Sequence, residues 1–143
     1  MFCDIKNELD NPVVREILSE SMFDNSPEAV DLKVAEIRRK SDWQVFGVIE
    51  GDKFLGVCVF EVHTDWVEIL HIAVPKNMRT LGVGSAMITA LRHKYLLRIE
   101  AETDEDAVEF YRKYGFETIE IKKYNVRRWT CLLPALKRKE AKK

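Results

Sequence analysis

Arg79, Gly82 and Gly84 stand together where an extended apolar run, "VEILHIAV", gives way to "MRTLGVGSAMITAL", Met78 to Leu91. A helix start leaves its first backbone N–H groups without intrahelical partners and carries partial positive charge. Phosphate is the natural counterpart of such a start. Glycine lets the backbone approach a phosphate with no Cβ in the way. A cation leading into two glycines at a helix mouth therefore predicts a phosphate cradle. Two glycines on their own fit an unliganded strand-to-helix corner equally well.

The nucleotide motifs that share this chemistry do not fit. The P-loop requires lysine after its last glycine, and Ser85 follows Gly84. The dinucleotide fingerprint requires a third glycine or alanine where Met87 stands, and no acidic-tipped strand follows at the right distance.

The elements that position this segment are legible from period and punctuation. The N-terminal part reads as two helices, with Asn11 before Pro12 and Ser26 before Pro27 as caps. Val30, Val34 and Ile37 recur at helical spacing. "WQVFGVIE" and "KFLGVCVFEV", joined by Gly51-Asp52, read as a hairpin, and "WVEILHIAV" is a third strand after "HTD". The glycine segment opens a helix, "LLRIEA" is a short buried strand, and "TDEDAVEFYRKYG" is a helix capped by Thr103 and ended by Gly115. "FETIEIKKY" and "VRRWTCLL" form a last hairpin turning near Asn125. The predicted order is (β)ααβββαβαββ, an α/β (α+β) fold on a mixed sheet.

Composition bounds the function. The chain has 143 residues, which predicts one domain over 1–143. Apolar residues make up 46% and charged residues 33%, an ordinary soluble balance with enough material for a core. A net charge of −1 gives no global field for nucleic acid. No apolar run approaches the ~20 residues of a membrane span, and "MFCDIKNELD" does not read as a secretory signal. Cys3, Cys58 and Cys131 form no CxxC pair, so neither a metal site nor a disulfide framework is expected. Free thiols fit the cytoplasm, and Cys58 reads as core filler. The tail "PALKRKEAKK" reads as a solvated end.

"HIAVPKNMRTLGVGSAMITAL" resembles the acetyl-CoA-binding segment of the GNAT superfamily of N-acetyltransferases. The resemblance rests on the triplet Ile72-Ala73-Val74 and on Arg79-Thr80-Leu81-Gly82-Val83-Gly84 at the helix start. "DAVEFYRKYGFE" resembles the family's second landmark, and the element order agrees over essentially the whole chain. The resemblance implies that backbone amides from Thr80 to Ser85 hold the coenzyme A pyrophosphate. It implies that Ile72 and Val74 pair with the pantetheine arm, in a slot where the two central parallel strands splay apart. The amide of Val74 would then lie near the thioester carbonyl.

The implied reaction moves an acetyl group from acetyl-CoA to a primary amine. An amine of pKa ~10.4 must first lose a proton, a backbone N–H would stabilise the developing oxyanion, and the departing thiolate must gain a proton. Tyr111 matches the family's tyrosine near the coenzyme sulfur and is the candidate acid; packing on its helix face is the alternative. Glu68 is the first candidate base, with Leu70 and Ile72 on its side of the pleat, and Glu100 is the second. An exposed strand carboxylate is the competing reading of Glu68. His71 alternates to the other face and reads as structural, and His63 reads as a turn residue. Asp104 stands where many members carry a coenzyme-contacting asparagine. Aspartate lacks the amide donor, so a helix-capping role competes there.

The acceptor is open. "SMFDNSPEAV" offers Asp24 and Glu28, and "KKYNVRRW" offers Lys122, Lys123, Arg127 and Arg128. A small amine, a peptide N-terminus and a protein lysine all fit. A non-catalytic acyl-CoA sensor or interaction module is the alternative function, and a longer acyl group is a third. Trp43, Trp66 and Trp129 read as sheet-packing residues. A homodimer is compatible with the family resemblance.

Overall fold

The computed structural model describes residues 1–137, so residues 138–143 of the basic tail lie outside the described residues. One seven-stranded sheet holds β1 (Phe2–Asp4), β2 (Trp43–Glu50), β3 (Lys53–Val62), β4 (Trp66–Ala73), β5 (Arg98–Thr103), β6 (Glu117–Lys123) and β7 (Val126–Leu133). The helices are α1 (Pro12–Ser19), α2 (Pro27–Arg39), α3 (Val83–Tyr95) and α4 (Val108–Tyr114), with short 3-10 helices at Lys6–Glu8 and Lys76–Leu81. The chain order is the predicted one. The sheet order is β1-β2-β3-β4-β5-β7-β6. β4 and β5 are parallel, and the other neighbouring strands run antiparallel.

Local chemistry explains the starts and stops. Asn11 accepts from the Val13 N–H and Ser26 from the Ala29 N–H, each capping a helix whose first residue is proline. Tyr124 and Asn125 both take positive φ, at 55° and 59°, the pair of left-handed residues that a tight β6–β7 turn requires. Two expectations are corrected. Thr103 is the last residue of β5, and no side chain caps α4; Asp104 Oδ1 accepts from the Ala107 N–H at 3.0 Å and so holds the turn that leads into the helix. The strand read as "LLRIEA" starts later, at Arg98, because Leu96 turns left-handed at φ 55° to close α3.

Two apolar clusters sandwich the sheet. One lies under α3 and α4 and includes Phe60, Met87, Ile88, Leu91, Ile99 and Tyr111. The other lies under α1 and α2 and includes Leu9, Val14, Leu18, Val34 and Ile37. Each fully buried aliphatic side chain contributes about 1.5–3 kcal/mol over exposure. α1 packs on β3 and β4. On that same face, no helix among the described residues covers β5, β7 and β6, where Ile119 is half exposed. No helix of the described residues is long and apolar enough to cross a membrane.

Candidate active site at the parting of two parallel strands

β4 and β5 pair from Trp66↔Arg98 to Ile69↔Ala101 and then separate, although β4 continues to Ala73 and β5 to Thr103. The expected splay is present. A bulge places it: Val59 pairs with His71 and Phe60 with Ile69, leaving Leu70 as the extra residue of β4. A bulge bends and twists its own strand, which carries the rest of β4 away from β5.

The bulge also resets the pleat. Val67, Ile69, Ile72 and Val74 pack toward α3 and α4, whereas Leu70 and Ala73 pack toward α1 and α2. The expected alternation is therefore corrected. Ile72 lies across the sheet from Glu68, and His71 shares the Glu68 face, where its Nδ1 meets Ser21 Oγ just past α1. The two catalytic candidates thus approach the gap from opposite faces: Glu68 from the α1 side, Tyr111 from the α4 side.

Beyond Ala73 the chain turns through Val74 into the 3-10 helix Lys76–Leu81, where a loop was expected. Thr80 and Leu81 belong to that helix. Gly82 follows at φ 76°, and the first bond of α3 runs from the Ala86 N–H to the Gly82 carbonyl. The N–H groups of Val83, Gly84 and Ser85 precede that bond, and no side chain caps them. This is chemistry that suits a phosphate. A Cβ on Gly82 would meet nothing within 4 Å, whereas one on Gly84 would lie 2.9 Å from the Phe110 ring and 3.9 Å from a Val74 methyl. Gly84 is thus explained by the close packing of α3 on α4, and Gly82 by backbone conformation and open space. Arg79 Nη2 lies 3.0 Å from Glu20 Oε2, and its Nε donates to the Val74 carbonyl at 3.4 Å. Glu20 was not anticipated.

Tyr111 is 4% exposed and packs edge-on against Phe110 and Phe116, with ring centroids 5.2 and 5.1 Å away. Its hydroxyl makes no hydrogen bond to the described residues. Burial first, then the neighbouring Cys58, Cys131 and Asp104, push the phenol well above its usual range. Cys58 pairs with Ile72 of β4, and Cys131 with Ala101 of β5. The ring therefore lies over the place where those strands part.

On the opposite face a small cleft of about 120 Å³ is bounded by Trp66, Glu68, Glu100, Glu102 and Thr130. Glu68 Oε1 lies 3.0 Å from His63 Nε2, and Glu100 Oε2 accepts from Arg98 Nε at 2.7 Å. Glu102 faces Lys123 and Arg128, each at 3.2 Å. Arg127 pairs with Glu120, so three of the basic hairpin residues are already engaged. Asp24 accepts from the Ser26 N–H, which holds its carboxyl below the usual range. The larger cleft, about 690 Å³ between α1, the start of β3 and Pro75–Met78, is bounded by neither Glu68 nor Tyr111. The predicted chemistry does not meet there.

The sequence matches the acetyltransferase (GNAT) domain family over residues 41–118, more than half of the chain. No curated protein matches it by sequence. Solved structures match along nearly their whole length. A GNAT-family protein from Desulfovibrio desulfuricans superposes with a TM-score of 0.76 at 19% identity, covering 94% of this chain and 98% of that one. The aminoglycoside 6'-N-acetyltransferase from Enterococcus faecium gives 0.72 at 14%, covering 98% and 99%. A GNAT-family acetyltransferase from Elizabethkingia anophelis, with acetyl-CoA bound, gives 0.66 at 16%, covering 95% and 97%. At such identities the superpositions establish a shared fold. With the match across its central strands and both central helices, the chain belongs to the GNAT family of acetyltransferases.

Proposed function

We propose that residues 1–143 act as one catalytic domain that transfers the acetyl group of acetyl-CoA to a primary amine by direct attack in a ternary complex. The observation that carries this reading is the gap between β4 and β5, with Tyr111 on one face and Glu68 on the other. Acetyl-CoA supplies an acyl thioester, an electrophile that an amine can attack. The amides of Val83, Gly84 and Ser85 take the pyrophosphate, with Gly82 leaving room for it and Arg79 adding positive charge. The unpaired edge of β4 from Ile72 to Val74 holds the pantetheine arm as a strand would. The Val74 N–H donates to the carbonyl oxygen as it gains charge.

Glu68 takes the proton of an amine entering by the uncovered face of β5 and β7. Tyr111 acts from the other side. A thiolate of ordinary pKa near 8.5 is a weaker base than a phenolate raised above its usual range. Tyr111 therefore keeps its proton and donates a hydrogen bond to the departing sulfur. Asp104 holds the turn that leads into α4 with one carboxylate oxygen.

The test is calorimetric titration with acetyl-CoA and coenzyme A, followed by thiol release over a panel of amines. Saturable heat and amine-dependent release are expected, with Glu68→Gln losing roughly 100-fold in kcat/KM. Absence of any heat up to millimolar acetyl-CoA would overturn the reading.

A further inference from the structure

The hairpin joining β3 to β4 is nearly palindromic: Glu61-Val62-His63-Thr64-Asp65-Trp66-Val67-Glu68. Its register sets Glu61 opposite Glu68, and the His63 N–H closes it on the Trp66 carbonyl at 2.8 Å. The His63 imidazole therefore lies between two carboxylates. Nε2 is 3.0 Å from Glu68 Oε1, and Nδ1 is 3.6 Å from Glu61 Oε2. The ring stacks on the Trp66 indole with centroids 4.2 Å apart and planes 17° from parallel. Trp43 Nε1 donates to Glu61 Oε1 at 3.0 Å. The stack fixes the ring plane, and the indole fixes the second carboxylate.

A 3.0 Å contact with an ionised carboxylate requires a proton on Nε2, because two lone pairs cannot share that distance. His63 donates to Glu68 whether the ring is neutral or charged. Oε1 is thereby engaged and Oε2 is left. We infer that His63 is a positioning residue for Glu68: it turns the carboxylate so that Oε2 meets the amine. This rests on the reading of Glu68 as the base. In the step itself the amine N–H bond breaks, an O–H bond forms on Oε2, and that proton then passes to water and restores the carboxylate. His63 gains and loses nothing in the step.

The charged groups around the ring are Glu61 on β3, Glu68 on β4, the Arg98–Glu100 pair on β5 beside Trp66, and Lys40 over Trp43.

The experiment compares kcat and KM for the parent, His63→Gln and His63→Leu. Glutamine retains an N–H donor. His63→Gln is expected to stay within about threefold of the parent. His63→Leu should fall about 10- to 100-fold, the effect of losing one hydrogen bond to a charged group. The fall in His63→Leu should lie in kcat, with the KM for acetyl-CoA little changed. Failure of His63→Gln to recover kcat over His63→Leu, or a parental rate in His63→Leu, overturns the inference. So does loss of parental activity on adding EDTA, since the three side chains also bring ligating atoms within 4.8 Å of one another. Glu68→Gln separates the two readings: full activity in that variant removes the base itself, whatever His63 does.

Discussion

His71 Nδ1 lies 3.0 Å from Ser21 Oγ, and that hydroxyl lies 2.7 Å from the Leu18 carbonyl oxygen. A hydroxyl has one proton. Ser21 gives it to the carbonyl, so it must accept from His71, and the ring carries its proton on Nδ1. Burial, reinforced by Lys33 and partly opposed by Glu36, lowers the His71 pKa to about 4. The neutral ring ties the end of α1 to β4. A folded-state pKa below the unfolded value of about 6.5 stabilises the protein above pH 6.5, and that contribution is lost as pH falls toward 4. Urea unfolding at pH 7.5 and 4.5 should show about 2 kcal/mol more loss in the parent than in His71→Asn. Equal losses would remove the buried neutral imidazole from the account.

Much of this fold was legible because local chemistry marked it. Asn11-Pro12 and Ser26-Pro27 announced helix starts, and the motif residues from Ile72 to Gly84 announced the site. What failed was pleat arithmetic. Counting by twos from Glu68 carries Ile72 to the same face, but Leu70 bulges because of its pairing with β3, and a bulge is a property of two strands, not one. The Arg79–Glu20 pair joins residues 59 apart in sequence, beyond any local pattern. Gly84 looked like room for phosphate, and Phe110 fills that room. The palindrome around Thr64-Asp65 did carry a usable signal: a two-residue turn at its centre sets His63 beside Trp66 and Glu61 opposite Glu68.

The two glycines of the helix mouth separate by substitution. Gly84→Ala brings a Cβ within 2.9 Å of the Phe110 ring, so overpacking should cost about 1–3 kcal/mol. Phe110→Leu in the same chain should restore part of it. Gly82→Ala meets no neighbour but must hold φ 76°, at about 1–2 kcal/mol, and Gly82→Asn should cost less. Urea midpoints check all four variants. A Gly84→Ala midpoint equal to the parent's would show that the α3–α4 contact yields.

Glu20 and a coenzyme phosphate compete for one guanidinium. The Arg79–Glu20 pair is half exposed on the arginine side, and such pairs contribute about 0–1 kcal/mol. Removing the competitor should therefore help the coenzyme modestly. Glu20→Gln should lower the KM for acetyl-CoA by up to about fivefold, and Arg79→Ala should raise it about tenfold. Initial rates at saturating amine read both. An Arg79→Ala enzyme with parental KM would leave the phosphate to the backbone amides alone.

Tyr111 makes a distinct kinetic prediction because its phenol is raised from an ordinary value of 10.0 by burial and by Cys58, Cys131 and Asp104. A raised acid stays protonated to higher pH, so the hydrogen bond to the departing sulfur persists across the neutral and mildly alkaline range. The kcat profile should show no alkaline fall below pH ~10 that Tyr111→Phe removes. Because the bond strengthens only as the sulfur gains charge, Tyr111→Phe should lower kcat roughly 10- to 100-fold with little change in the KM for acetyl-CoA. The phenylalanine ring retains the edge-on contacts with Phe110 and Phe116, so the thermal midpoint should barely move. A variant that kept kcat and lost stability instead would place Tyr111 among the packing residues of the core.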